Sequence, residues 1–171
     1  MDQSAALFVV RKVDNPEEIT RVTLAVMHSL PAWFSPPEDI DRKSILHRDM
    51  PFFAAYATAH SDATAHAGAQ AVGFAALKEH NEFTSEIFNI GILEDYQRFG
   101  IGGALLSAAE AYCIACGRRF LTVKTLDVSA DYEPYDRTRA FYHKAGFLPL
   151  EVLTNHWNEE NPCLFLAKWL Q

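Results

Sequence analysis

The sequence is short of cysteine, of positive charge and of long apolar runs, and each shortage removes a class of protein. Its three cysteines, Cys113, Cys116 and Cys163, are odd in number. That suits a reducing compartment better than a disulfide scaffold. Cys113 and Cys116 have C-x-x-C spacing, yet no second Cys or His pair stands near them at ligand spacing. They read as two small buried apolar residues late in a helix. His47, His60 and His66 form no metal spacing either, so no metal is expected. Fifteen Lys and Arg against 22 Asp and Glu leave a formal charge of −7. No basic field is available to condense on phosphates, which argues against a nucleic-acid partner; a cationic small substrate is compatible with it. There is no apolar run of about 18 residues, and the start MDQSAALFVVRK lacks the basic-then-apolar order of a signal peptide. The expectation is a cytoplasmic protein with no membrane partner.

What is present is an ordinary globular balance, 49% hydrophobic and 22% charged over 171 residues. This is one domain by length, spanning 1–171, with enough chain for a sizeable core. Residues 7–13 read as a strand. Pro16 followed by two glutamates starts a helix whose apolar face is Ile19, Val22, Val26 and Leu30. A second short helix is expected near 38–47. Strands follow at 52–58 and 71–78 around a small, polar loop at 60–70, then at 83–93. Residues 101–116 form a helix with Ile101, Leu105, Ala108, Tyr112 and Ala115 on one face, stopped by Gly117. The β-branched run 120–126 is a strand, 134–145 a helix closed by Gly146, and 147–153 and 163–170 a closing pair of strands around the loop NHWNEENP.

Three of the eight glycines crowd into EDYQRFGIGGALL, where a strand gives way to a helix. Glycine there weakens the helix, by roughly 0.5–1 kcal/mol in a helix interior. The first N–H groups of a helix have no partner within it, and the helix dipole adds positive charge. Together they bind phosphate if the backbone can come close, and Gly100, Gly102 and Gly103 remove the side chains that would obstruct it. A tight turn with close helix–strand packing explains the same glycines without a ligand. The Lys-Ser/Thr of a nucleotide loop is missing, and so is the full G-x-G-x-x-G of a dinucleotide fold.

Gln97-Arg98-Phe99-Gly100-Ile101-Gly102 matches Q/R-x-x-G-x-G/A in full, and 138–147, TRAFYHKAGF, contains FYxKxGF. With EIFNIGILEDYQ before the first, the chain resembles the GNAT superfamily of acyl-CoA-dependent N-acyltransferases. The resemblance is strongest from about residue 83 to 150. It implies an α/β (α+β) fold: one mixed, mostly antiparallel sheet of about seven strands, flanked by about four helices and splayed between strands 4 and 5. It implies acetyl-CoA as co-substrate and acetyl transfer to a primary amine of a small molecule by direct attack in a ternary complex. A protein N-terminus or lysine as acceptor, or a sensor that binds acyl-CoA without turnover, are the alternatives. A nicotinamide-dependent oxidoreductase fits worst. The resemblance also allows a homodimer.

The family's roles carry over residue by residue. Gly91, Ile92 and Leu93 would face the carbonyl and pantetheine arm. Arg98, Gly100, Gly102 and Gly103 would hold the diphosphate, mostly through backbone N–H, with Gln97, Phe99 and Ile101 also in the cofactor-binding loop. Tyr142 matches the general acid that protonates the leaving thiolate; the alternative is aromatic packing beside Phe141. Glu86, a carboxylate in an apolar strand, is either the base acting through water or a salt-bridged strand residue. The family's usual Asn is Tyr135 here and its usual small apolar residue is Thr138, so contacts on the adenosine side pass to Tyr135, Arg137 or Arg139; Thr138 and Phe141 are also expected to bind the cofactor. Trp33, Phe34, His80 and Trp157, all in expected loops, are candidates for a partly aromatic acceptor pocket.

Overall fold

A computed structural model describes residues 8–58 and 69–171. Residue 7 and most of the expected 60–70 loop, with His60 and His66, lie outside them. Among the described residues there are seven strands and four α-helices. They are β1 (Phe8–Val13), α1 (Pro16–His28), α2 (Pro37–Leu46), β2 (Phe52–Ala57), β3 (Ala71–Glu79) and β4 (Thr84–Ile92), then α3 (Ile101–Ala115), β5 (Phe120–Leu126), α4 (Pro134–Lys144), β6 (Leu148–Asn158) and β7 (Asn161–Trp169). The strands form one sheet in the order β1-β2-β3-β4-β5-β7-β6. β1–β2, β2–β3, β5–β7 and β6–β7 are antiparallel, and β4–β5 is parallel. The parallel ladder is short, from Thr84 opposite Phe120 to Ile87 opposite Val123, although β4 runs to Ile92 and β5 to Leu126. A splay between the two strands leaves such a ladder.

By contact density the chain divides into two units. One holds the chain up to Ala76 together with Asn89–Ala109; the other holds Leu77–Phe88 and Glu110–Gln171. In the first, Asn15 starts α1: its side-chain oxygen accepts from the Glu18 N–H at 2.9 Å, and Pro16 takes the first helical position, where its missing N–H is no loss. The expected stripe Ile19, Val22, Val26 and Leu30 is buried with Met27, Phe52 and Phe74. Each such side chain contributes about 1.5–3 kcal/mol by leaving water. Phe52 and Phe74 stack at 5.2 Å.

In the second unit, β5 buries Leu121, Val123 and Leu126, and β7 buries Cys163 and Leu166. Three expectations change. α3 buries Ile101, Leu105, Leu106, Ala109 and Cys113, while Ala115 is exposed. The buried stripe therefore advances by fours, one residue round from the expected face. Cys116 is exposed, one position past the last helical residue, so only Cys113 of that pair is a core residue. NHWNEENP is not a loop: β6 continues to Asn158 and only two residues, Glu159 and Glu160, turn the chain. The Asn158 side-chain oxygen accepts from the Asn161 backbone N–H at 2.9 Å and its amide at 2.8 Å, closing that turn locally.

Candidate active site

The glycine-rich turn lies in the first unit. Leu93 N–H donates to Val72 O at 2.9 Å, a bond from the end of β4 to β3. A single 3-10 turn follows, and the Gln97 side-chain amide reaches back to Ile92 O at 3.1 Å. Arg98 and Gly100 both have positive φ, 70° and 85°. For an arginine this conformation costs about 1–3 kcal/mol and persists only where its surroundings impose it. α3 then begins, and Ala104 N–H is the first to return into the chain, donating to Gly100 O at 3.0 Å. The N–H groups of Ile101, Gly102 and Gly103 precede any intrahelical acceptor.

A Cβ added at Gly100 or Gly103 would meet no protein atom within 4 Å. Close packing therefore does not require glycine at Gly103, which is exposed. Phe99 beside it is 55% exposed. Gly91 is the opposite case. A Cβ there would lie 3.2 Å from Val26, 3.3 Å from Leu30 and 3.3 Å from the Phe34 ring. Gly91 thus lets α1 and the following turn lie against β4, and it meets Phe34 directly. Trp33 and Leu93 pack on the same apolar cluster.

The second unit holds the ionisable candidates. Glu86 on β4 is 5% exposed. Its Oε2 accepts from Lys124 Nζ at 2.8 Å and from His80 Nε2 at 2.5 Å. A buried carboxylate needs such partners. His80 sits where β3 ends, its backbone N–H donating to Thr84 O at 3.0 Å. Tyr142 is the buried side chain of α4. Burial, then the nearby Tyr135, pushes its phenol well above the usual range, so it stays protonated. Its ring packs on Phe141 and edge-on against Phe147. Burial also raises the half-buried Tyr135. Arg139 is committed within the fold: it donates to Leu126 O at 2.8 Å and pairs with Asp136. Arg137 is exposed and Thr138 half-buried. Trp157, 47% exposed, lies on β6 rather than in a loop and packs on His156.

The family model for the acetyltransferase (GNAT) family matches residues 23–147. The chain belongs to that family. No curated protein sequence matches it. Solved structures share the fold. Ard1 from Thermoplasma volcanium is 19% identical with a TM-score of 0.73, covering 96% of this chain and 99% of its own. IAA acetyltransferase from Bacillus cereus is 20% identical at 0.67, covering 95% and 99%. A GNAT family acetyltransferase from Elizabethkingia anophelis, solved with acetyl-CoA bound, is 18% identical at 0.62, covering 96% and 99%.

An acetyl-CoA carrier fits the residues of this family member. Three amides at a helix start, an open glycine face and a positive-φ Arg98 are chemically suited to an anionic group such as a diphosphate. Among the described residues no group of three His, Cys, Asp or Glu could hold a metal, and no helix is long and apolar enough to cross a membrane. His47, which belongs to no metal spacing, has a structural place that its sequence neighbours do not signal. It is fully buried, its Nδ1 2.9 Å from Thr23 Oγ1 and its Nε2 2.9 Å from Asn89 Oδ1 on β4. Burial lowers its pKa to about 4, against the pull of the Asn89 bond. It is a neutral imidazole that joins α1 to β4.

Proposed function

We propose that the protein transfers an acetyl group from acetyl-CoA to the primary amine of a small molecule, with the whole chain acting as one catalytic domain. The observation that carries this is the open face at Gly103, a helical glycine that packing does not require. The N–H groups of residues 101–103, with Gln97, Arg98 and Phe99 around them, hold the diphosphate. Gly91, Ile92 and Leu93 line the arm. Tyr135, Thr138 and Phe141 of α4 serve the adenosine side; Arg139, already bonded to Leu126 O, supports that helix instead. When bound, acetyl-CoA supplies an acyl group activated as a thioester. Tyr142, held protonated by burial, gives its proton to the departing sulfur. Glu86 draws the proton from the acceptor amine, either itself or through a neighbour. The net charge of −7 favours a cationic acceptor, and Phe34 is its apolar contact. A cytoplasmic homodimer completes the reading. The β6 edge, with Leu148, Leu150 and Val152 exposed, is the surface where the copies meet.

Thermal shift with CoA, acetyl-CoA and NAD tests the first step, because a ligand that binds only the folded state raises its stability. CoA and acetyl-CoA should stabilise and NAD should not. Free-thiol release with a panel of small amines and peptides tests the second. Release with small amines is expected; release with peptides alone moves the acceptor to protein. Binding without release from any amine leaves a sensor. Light scattering across concentration tests the dimer.

A further inference from the structure

We propose that His80 takes the proton from the acceptor amine and that Glu86 and Lys124 are its positioning residues. This deepens the acetyl-transfer reading and rests on it. Glu86 is poorly placed to act alone. One oxygen, Oε2, receives both Lys124 Nζ at 2.8 Å and His80 Nε2 at 2.5 Å, on a side chain only 6% exposed. A proton taken by this carboxylate would leave the part-buried Lys124 ammonium without its counter-charge. Lys124 is held to its task from behind, with Nζ 5.4 Å from the centre of the Phe165 ring. A carboxylate held between two nitrogen donors only accepts. Nε2 of His80 must therefore carry its hydrogen, which leaves the lone pair on Nδ1.

That ring is the reachable member of the group. The His80 side chain is 32% exposed against 19% for Lys124. Among the described residues none bonds Nδ1. The backbone bond from His80 N–H to Thr84 O fixes the turn that presents it. A carboxylate that sets the tautomer of an imidazole whose other nitrogen takes a proton is the logic of a hydrolytic triad. Here it works on an amine. As the nitrogen–carbon bond forms, one proton leaves the amine nitrogen for His80 Nδ1. The carbon–sulfur bond breaks, and the sulfur takes the Tyr142 proton. Water then carries a proton from the imidazolium back to the phenolate.

Two measurements test this on the whole protein. The first is nitrogen NMR of the histidine rings at pH 8, with the His80 ring assigned in the wild type by through-bond correlation to its own backbone. The expected ring has its hydrogen on Nε2 and none on Nδ1. A hydrogen on Nδ1, alone or with one on Nε2, overturns the proposal without touching the transferase reading, and this measurement stands even where variants fail to fold. The second is thiol release against pH for wild type, His80→Gln and Glu86→Gln. His80→Gln should lose about 100-fold in turnover, a usual contribution of a general base, together with the fall in rate on the acid side. Glu86→Gln, which no longer fixes the tautomer, should also lose about 100-fold or more, but it should keep the fall in rate on the acid side, because the imidazole remains. The reverse pattern, or no change in His80→Gln, makes Glu86 the base and overturns the proposal. No thiol release by the wild type with any amine overturns the transferase reading itself, and the proposal with it.

Discussion

Substituting Gly103 by alanine separates two demands on one position. The new Cβ meets no protein atom within 4 Å, and alanine favours the helix by about 0.5–1 kcal/mol. The melting temperature should rise by about 2–3 °C while the CoA dissociation constant, measured by calorimetry, rises at least about tenfold. Unchanged affinity would remove the main-chain cradle from the argument. Gly100→Ala should destabilise instead, because φ there is +85°. Tyr142→Phe keeps the ring packed on Phe147 and removes only the proton. Turnover should fall about 100-fold with CoA affinity unchanged; an undiminished turnover would leave Tyr142 a packing residue. Both candidate groups could be proposed from the sequence because the two family motifs restrict residue types at fixed spacings. His47 could not. Its partners Thr23 and Asn89 are 24 and 42 positions away, and nothing in its own neighbourhood distinguishes it from a solvated histidine.

Helices and strands show where pattern reading runs out. On α3 the pairs Ala108–Ala109 and Tyr112–Cys113 are both apolar, so periodicity alone could not choose between two adjoining faces; packing buries Ala109 and Cys113. β6 was cut short because its last residues are polar. Every residue of it but Leu153 is exposed, and an edge strand needs no apolar alternation to keep its ladder with β7. The β-rich and helical segments that bury one face were readable to within a residue or two. α1 and β4 depend on each other through Gly91. Gly91→Ala would force a methyl to within 3.2–3.3 Å of Val26, Leu30 and Phe34. It should cost about 1–3 kcal/mol in urea unfolding, as overpacked cores do. A stability equal to wild type would mean that the turn holding Phe34 yields freely.

At the scale of the whole molecule, His47 makes stability depend on pH. Its folded pKa is near 4, and an unfolded histidine titrates near 6.5. Between those values the unfolded chain binds the extra proton, so stability rises with pH. The contribution is complete above about pH 6.5 and is lost as the pH falls towards about 4. Urea unfolding of the wild type should lose about 2 kcal/mol more than His47→Gln between about pH 7 and 5. Equal slopes would mean that the imidazole protonates in place. The sheet order has an outcome of another kind. Beside β5 stands β7, which follows it by about 40 residues in the sequence, and among the described residues β6 pairs with β7 alone. During translation β5 must wait, one edge bare, until residue 169 has cleared the ribosome, and a chaperone that shields that edge would act on this half of the chain alone.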